Sequence, residues 1–259
     1  MGLPGITKEQ MIQVDEIMLG ELSVPIELMM EHAGHNLARL STNYLTENNT
    51  LIVIAGSGNN GGGGLVSACR LKSWGFDVTV YLPRGRSFLK PVPAKQSMRL
   101  DALGIELVDG LPTGYSDNLV IDAYLGYGYS KRDDPITNDV LEFFSETSSI
   151  VSLDIPSGMN SNTGESSVPF SPRATMTIAF VKEGFLKASK NQFGRLYVCD
   201  IGVPKSLIEN QLGIEWTNPY SISEMKNLYN GFIRDPLQEV FIDSDGVFEN
   251  NPVWNVELR

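Results

Sequence analysis

The chain has 259 residues, with 20 Lys+Arg against 31 Asp+Glu for a formal net charge of −11, and 42% of its residues are apolar. That composition excludes disorder, collagen and coiled coil, and the negative charge argues against nucleic acid or an anionic membrane surface as partner. The length suits one large α/β domain, or a domain with an appendage.

No run approaches the roughly 20 apolar residues that cross a bilayer. The first residues, MGLPGITKEQMIQVDEIM, have neither the basic start nor the apolar core of a signal peptide. Cys69 and Cys199 lie in apolar segments without metal spacing. They read as buried free thiols of a reducing compartment, which makes the cytoplasm the expected location.

Thr7 and Gln10 make a capping box, and Met11, Val14, Ile17 and Met18 follow at helical spacing. A second amphipathic helix is expected after Val24-Pro25. From residue 51 short apolar runs alternate with helical stretches. The runs are 51–55, 78–82, 105–108, 119–123, 150–155, 176–181 and 196–201, and the helices between them include 64–74, 92–104 and 136–147. Near-continuous β-branched runs are what strands buried on both faces require. The expectation is a three-layer, doubly wound α/β fold with a mostly parallel, Rossmann-like sheet and two leading N-terminal helices. Residues 1–214 read as that domain and 215–259 as an acidic appendage. From Phe232 onward the appendage holds six acids, two bases and the aromatics Phe241, Phe248 and Trp254.

Ligands in such sheets bind beyond the carboxyl ends of the strands. The first such end carries Gly56-Ser57-Gly58-Asn59-Asn60-Gly61-Gly62-Gly63-Gly64, a glycine loop whose amides and helix N-terminus suit a phosphate. The acid that a dehydrogenase places after its second strand is missing; Arg84 and Arg86 stand there instead. The fourth strand ends in Asp122, followed by the pliable loop from Gly126 to Arg132, and the fifth ends in Asp154 with Ser157 nearby. Two carboxylates, a hydroxyl and an Asn-rich loop suit acid–base work or a hard cation with oxygen ligands. His32 and His35 read as packing or capping residues, and Lys182, Lys187 and Lys190 as a small basic patch on a solvated face, in which Lys182, at a strand end, could reach a phosphate.

GSGNNGGGG, VIDAYLGYGYS and SLDIPSG, in that order, resemble the signature loops of the YjeF N-terminal domain family, the NAD(P)H-hydrate epimerases. The resemblance runs over roughly residues 8–210 and includes Leu28 to Gly34 and Asp200 to Pro204. It implies an isomerase of nicotinamide cofactor repair that interconverts R- and S-NAD(P)HX, the hydrated forms of NADH and NADPH. It also implies one potassium ion per subunit on Asn60, Asp122 and Ser157, with no organic cofactor. Substrate contacts are expected from Asn59, Asn60, Gly61, Gly62 and Gly63, from Gly126, Tyr127, Gly128, Tyr129, Ser130, Lys131 and Arg132, and from Asp154. Asp122 is the expected acid–base residue. A homodimer and functional coupling to a separate NAD(P)HX dehydratase are further implications, because 259 residues leave no room for the dehydratase.

Two positions depart from the family pattern. Gly63 replaces an aspartate, and Arg84 stands where many members carry lysine. A scaffold or binding module of the same fold is therefore the alternative, and an NAD(P)-dependent oxidoreductase a second.

Overall fold

The computed structural model describes residues 5–45, 50–113, 118–131, 133–204 and 212, together with the backbone of 237–242 and 248–250. Helix α1 (Lys8–Glu16) opens on the Thr7–Gln10 capping box and continues into a π-helical turn at Ile17–Glu21. Helix α2 spans Ile26–Thr42. Strands and helices then alternate as β1 (Leu51–Ala55), α3 (Asn59–Ser73), β2 (Val78–Leu82), α4 (Pro91–Ala102) and β3 (Glu106–Asp109). There follow β4 (Leu119–Ala123), α5 (Pro135–Glu146), β5 (Ile150–Leu153), β6 (Ala174–Ile178), the short α6 (Glu183–Lys187) and β7 (Arg195–Cys199).

The strand order is β3-β2-β1-β4-β5-β6-β7, all parallel, and β8 (Leu237–Ile242) and β9 (Phe248–Asn250) continue the β7 edge as antiparallel strands. The order reverses between β1 and β4, which pair directly. This is the switch point at which a doubly wound sheet leaves a crevice.

The period of two along each strand sends alternate residues to opposite layers. Leu119, Ile121 and Ala123 of β4 join Val53, Ala55, Val151 and Leu153 in the core beneath helices α1 to α4. Val120 joins Ile52, Ile54 and Ile150 against Val140, Leu141 and Phe144 of α5. Asp122, two residues after Val120, therefore shares the α5-side register, and its partner in β5 is Ser152.

Helix α3 begins at Asn59, five residues before the expected start, so Gly61 to Gly64 belong to its first turns. Close packing accounts for glycines in so unfavourable a setting. A Cβ on Gly61 would lie 1.8 Å from the Gly56 carbonyl oxygen, and one on Gly64 would lie 2.5 Å from Ala123 Cβ.

Cys69 and Cys199 are free and buried, as expected, and burial pushes the Cys199 thiol up to about 12. His35 packs edge-on against Trp74, with ring centroids 5.6 Å apart. Among the described residues no helix is long and apolar enough to cross a membrane.

Candidate active site

The loops after β1, β4 and β5 leave three adjacent strands at the switch point, and they border a cavity of about 600 Å³. Helices α1 and α2 close its other side with Met11, Asp15, Met29, Met30 and Ala33. The connection after β2 adds Arg84 and Lys90.

At the β1 loop the chain passes so close to its neighbour that a Cβ on Gly56 would lie 1.9 Å from the Tyr124 carbonyl oxygen. Gly58 precedes the first turn of α3 without a side-chain cap, and Gly58, Asn59 and Asn60 line the cavity. The first N–H groups of the helix and its positive dipole end thus remain for an anion. Asn60 donates through Nδ2 to the Leu153 carbonyl at 3.4 Å. Gly63 also borders the cavity, where a Cβ would meet Leu153 Cδ2 at 2.8 Å.

Asp122 is fully buried. Ser157 donates its hydroxyl to Oδ1 at 2.5 Å and its backbone N–H to Oδ2 at 2.9 Å. Ser152, beside it in the register, donates to Oδ2 at 3.0 Å, and the Tyr124 N–H reaches Oδ1 at 3.2 Å. Burial pushes the Asp122 carboxyl up to about 6, against the opposing pull of these donors. The expected acid–base residue accordingly stands in the wall behind the cavity and is not among the residues that line it.

Asp154, by contrast, lines the cavity. Its φ of +68° lies in the left-handed region that aspartate tolerates better than most residues. It accepts from the Tyr127 N–H at 2.7 Å and from Lys182 Nζ at 2.6 Å. The structure corrects the reading of Lys182 as part of a solvated patch. Lys187 and Lys190 are exposed, but Lys182 is fully buried and also donates to Thr177 Oγ1 and the Ile178 carbonyl.

Tyr127 donates its hydroxyl to Asp15 Oδ2 at 2.6 Å. Asp15 lines the cavity, and burial pushes its carboxyl up while the tyrosine bond opposes that shift. The amino-acid sequence does not single out Asp15. Its only signal there is a polar position in an otherwise amphipathic helix, 112 residues from its partner.

Arg84 pairs with Asp134 and reaches Thr137 Oγ1 at 3.4 Å. Gly126, Tyr127, Gly128 and Tyr129 border the cavity, whereas Gly61, Gly62, Ser130 and Lys131 do not. Arg132 lies outside the described residues.

The family model for the YjeF-related protein N-terminus matches residues 26–184, more than half of the chain. The chain belongs to the YjeF N-terminal family. It is similar to the NAD(P)H-hydrate epimerase of Rhodopirellula baltica, with 32% identity over 214 residues, covering 80% of this chain and 87% of that one. It is 31% identical over 216 residues to the NAD(P)H-hydrate epimerase of Elusimicrobium minutum, 97% of which is covered. A bifunctional NAD(P)H-hydrate repair enzyme of Thermofilum pendens is 35% identical over 205 residues, which span 39% of its length. The fold matches a crystal structure of yeast ynu0 with a TM-score of 0.69 at 22% identity, over 80% of this chain and 93% of that one.

All three YjeF-type loops fall within the matched segment, while Asp15 and the rest of α1 precede it.

The donors named for potassium are all oxygens, with Asp122 Oδ1 against Ser157 Oγ and the Leu125 carbonyl 3.5 Å from the same hydroxyl. Asn60 stands across Gly126, where a Cβ would come within 3.2 Å of its Oδ1. Neutral oxygens together with one carboxylate are the donor chemistry that suits a hard cation of low charge.

Proposed function

We propose that this protein epimerises R- and S-NAD(P)HX in nicotinamide cofactor repair. The observation that carries the reading is the cavity at the β1/β4 switch point, where the α3 N-terminus, Asp15 and Asp154 meet in a chain 32% identical to an NAD(P)H-hydrate epimerase.

The substrate combines an anionic dinucleotide with a hydroxyl on the ring carbon beside a nitrogen. Free amides of α3, with Arg84 and Lys90, supply the positive end of the cavity for the pyrophosphate. Asn59 to Gly63 and the 126–132 loop form the dinucleotide contacts. Inversion at the hydrated carbon requires protonation of its hydroxyl, departure of water to leave an iminium, and return of water to the opposite face. That sequence needs a proton donor and acceptor in the cavity. Asp154 fits this duty by its position, and Asp122, expected from the sequence to perform it, takes a supporting role instead.

Asn60, Asp122 and Ser157 would hold a potassium ion, which supplies fixed positive charge beside an anionic substrate. Asp122 organises the β5 loop through both Ser157 bonds and so sets the position of Asp154. Residues 1–214 form the catalytic unit, and 215–259 an appendage whose strands lengthen the sheet edge. A cytoplasmic homodimer coupled in function to an NAD(P)HX dehydratase completes the reading, in keeping with relatives named as bifunctional repair enzymes.

The test couples the protein to an S-specific dehydratase, with R-NADHX and potassium. Recovery of NADH above the spontaneous rate is expected. Persistence of the R form at its spontaneous rate overturns the epimerase reading in favour of a scaffold, the role that Gly63 and a paired Arg84 would fit.

A further inference from the structure

Tyr127 joins two carboxylates that face the same cavity. Its backbone N–H donates to Asp154 Oδ2 at 2.7 Å, and its hydroxyl donates to Asp15 Oδ2 at 2.6 Å. The acids therefore stand at the two ends of one tyrosine, and both line the cavity. Lys182 pairs with Asp154 and lies 6.0 Å from the Tyr127 ring centroid.

Helix α1 is fixed against this cluster. The Ile6 N–H donates to the Val181 carbonyl, and the Glu183 N–H donates to the Ile6 carbonyl, on either side of Lys182. Lys8 donates from its backbone to Asn162 Oδ1 at 2.7 Å, and from Nζ to the Gly128 carbonyl at 2.9 Å. Loop and helix are thus held together at both ends, so Asp15 has a defined place against Tyr127. Tyr127 bonds Oδ2 of Asp15, and the Asp15 side chain borders the cavity.

We propose that Asp15 is a second acid–base residue of the site, acting on one face of the substrate ring while Asp154 acts on the other. The proposal rests on the epimerase reading and gives it a two-sided mechanism. In one direction the Asp15 carboxyl gives its proton to the hydroxyl oxygen of the hydrated carbon. The carbon–oxygen bond breaks with its electron pair, water leaves, and the nitrogen lone pair forms the C=N bond of the iminium. A water oxygen then bonds to the other face, the C=N pair returns to nitrogen, and the surplus proton passes to the Asp154 carboxylate. The reverse direction exchanges the two roles, and solvent returns the proton between turnovers.

The charged and titratable groups facing Asp15 are Tyr127, Asp154 and Lys182, with Glu16 acting on the Tyr127 hydroxyl. Burial and Asp154 favour the protonated acid, while Tyr127 and Lys182 oppose it.

The decisive variant is Asp15→Asn, because the amide oxygen still accepts from Tyr127 but carries no transferable proton. Its kcat on R-NADHX, KM and pH profile are compared with those of the wild-type protein, with circular dichroism to check folding. The expected result is a fall in kcat of about 100-fold or more, KM within threefold, and loss of the limb that Asp15 sets, the alkaline one where it donates and the acid one where it accepts. A folded variant that keeps kcat within threefold and keeps the limb overturns the proposal and makes Asp15 a tether for the loop.

If Asp15→Asn does not fold, Tyr127→Phe decides. Removing a donor to the ionised carboxylate moves the limb that Asp15 sets to higher pH, and a profile with neither limb moved overturns the proposal. A wild-type protein with no activity instead sinks the epimerase reading itself, a separable outcome.

Discussion

Ser157 grips both oxygens of Asp122, with its hydroxyl 2.5 Å from one and its backbone N–H 2.9 Å from the other. Because Asp122 is fully buried, this pair links the end of β4 to the loop after β5 away from solvent. The carboxyl is pushed up from 3.8 to about 6 by burial.

The sign of the resulting pH effect follows from linkage. A carboxyl whose folded pKa is raised favours the folded state while protonated. That contribution is complete below about pH 4 and is lost as pH rises through about 6. A cation on the ionised oxygens offsets the loss. Potassium chloride should therefore raise the melting temperature over choline chloride more at pH 7.5 than at pH 5. An equal gain at both pH values would remove Asp122 from the ion site.

Packing at the glycine loop predicts a sharp contrast between neighbouring positions. Gly56→Ala drives a Cβ to 1.9 Å from the Tyr124 carbonyl oxygen, so backbone must move. A loss of about 3 kcal/mol is expected, at the upper end of overpacking costs. Gly58→Ala meets nothing within 4 Å and should cost about 1 kcal/mol or less, the disadvantage of alanine against glycine at a helix N-cap. Urea unfolding of both variants checks this, and equal effects would contradict the close approach of the two loops.

The Lys182–Asp154 pair is almost wholly out of solvent, with side-chain exposures of 0% and 4%. Lys182→Met leaves a buried carboxylate without its partner and should cost about 3–5 kcal/mol. The double variant Lys182→Met, Asp154→Asn should recover part of that loss. A double-mutant cycle by chemical denaturation gives the coupling, and additive losses would contradict a direct pair.

Arg84 sits at the cavity wall with its charge directed to Asp134. Arg84→Ala should raise KM for the anionic substrate several-fold and leave kcat within threefold, since it removes ground-state binding. A fall in kcat at constant KM would instead make Arg84 part of the chemistry.

Much of this arrangement is legible in the chain. Runs such as LIVIA and LVIDA announce strands buried on both faces, and their ends carry the loops that meet at the switch point. The start of helix α3 is harder to read, because glycine propensity argues against a helix at Gly61 to Gly64, whereas packing against Gly56 and Ala123 requires glycine there. Lys182 has the sequence of a surface lysine, and only the turn after β6 brings it to Asp154, 28 positions away. Asp15 is hidden for the same reason: its meaning depends on Tyr127, which the fold supplies from the loop after β4.

Epimerase activity is measured most directly by following the two epimers. Pure R-NADHX and pure S-NADHX, each incubated with the protein and potassium, should reach one common ratio from both sides far faster than in buffer alone. Relaxation at the buffer rate from both sides would mean that the protein is not an epimerase.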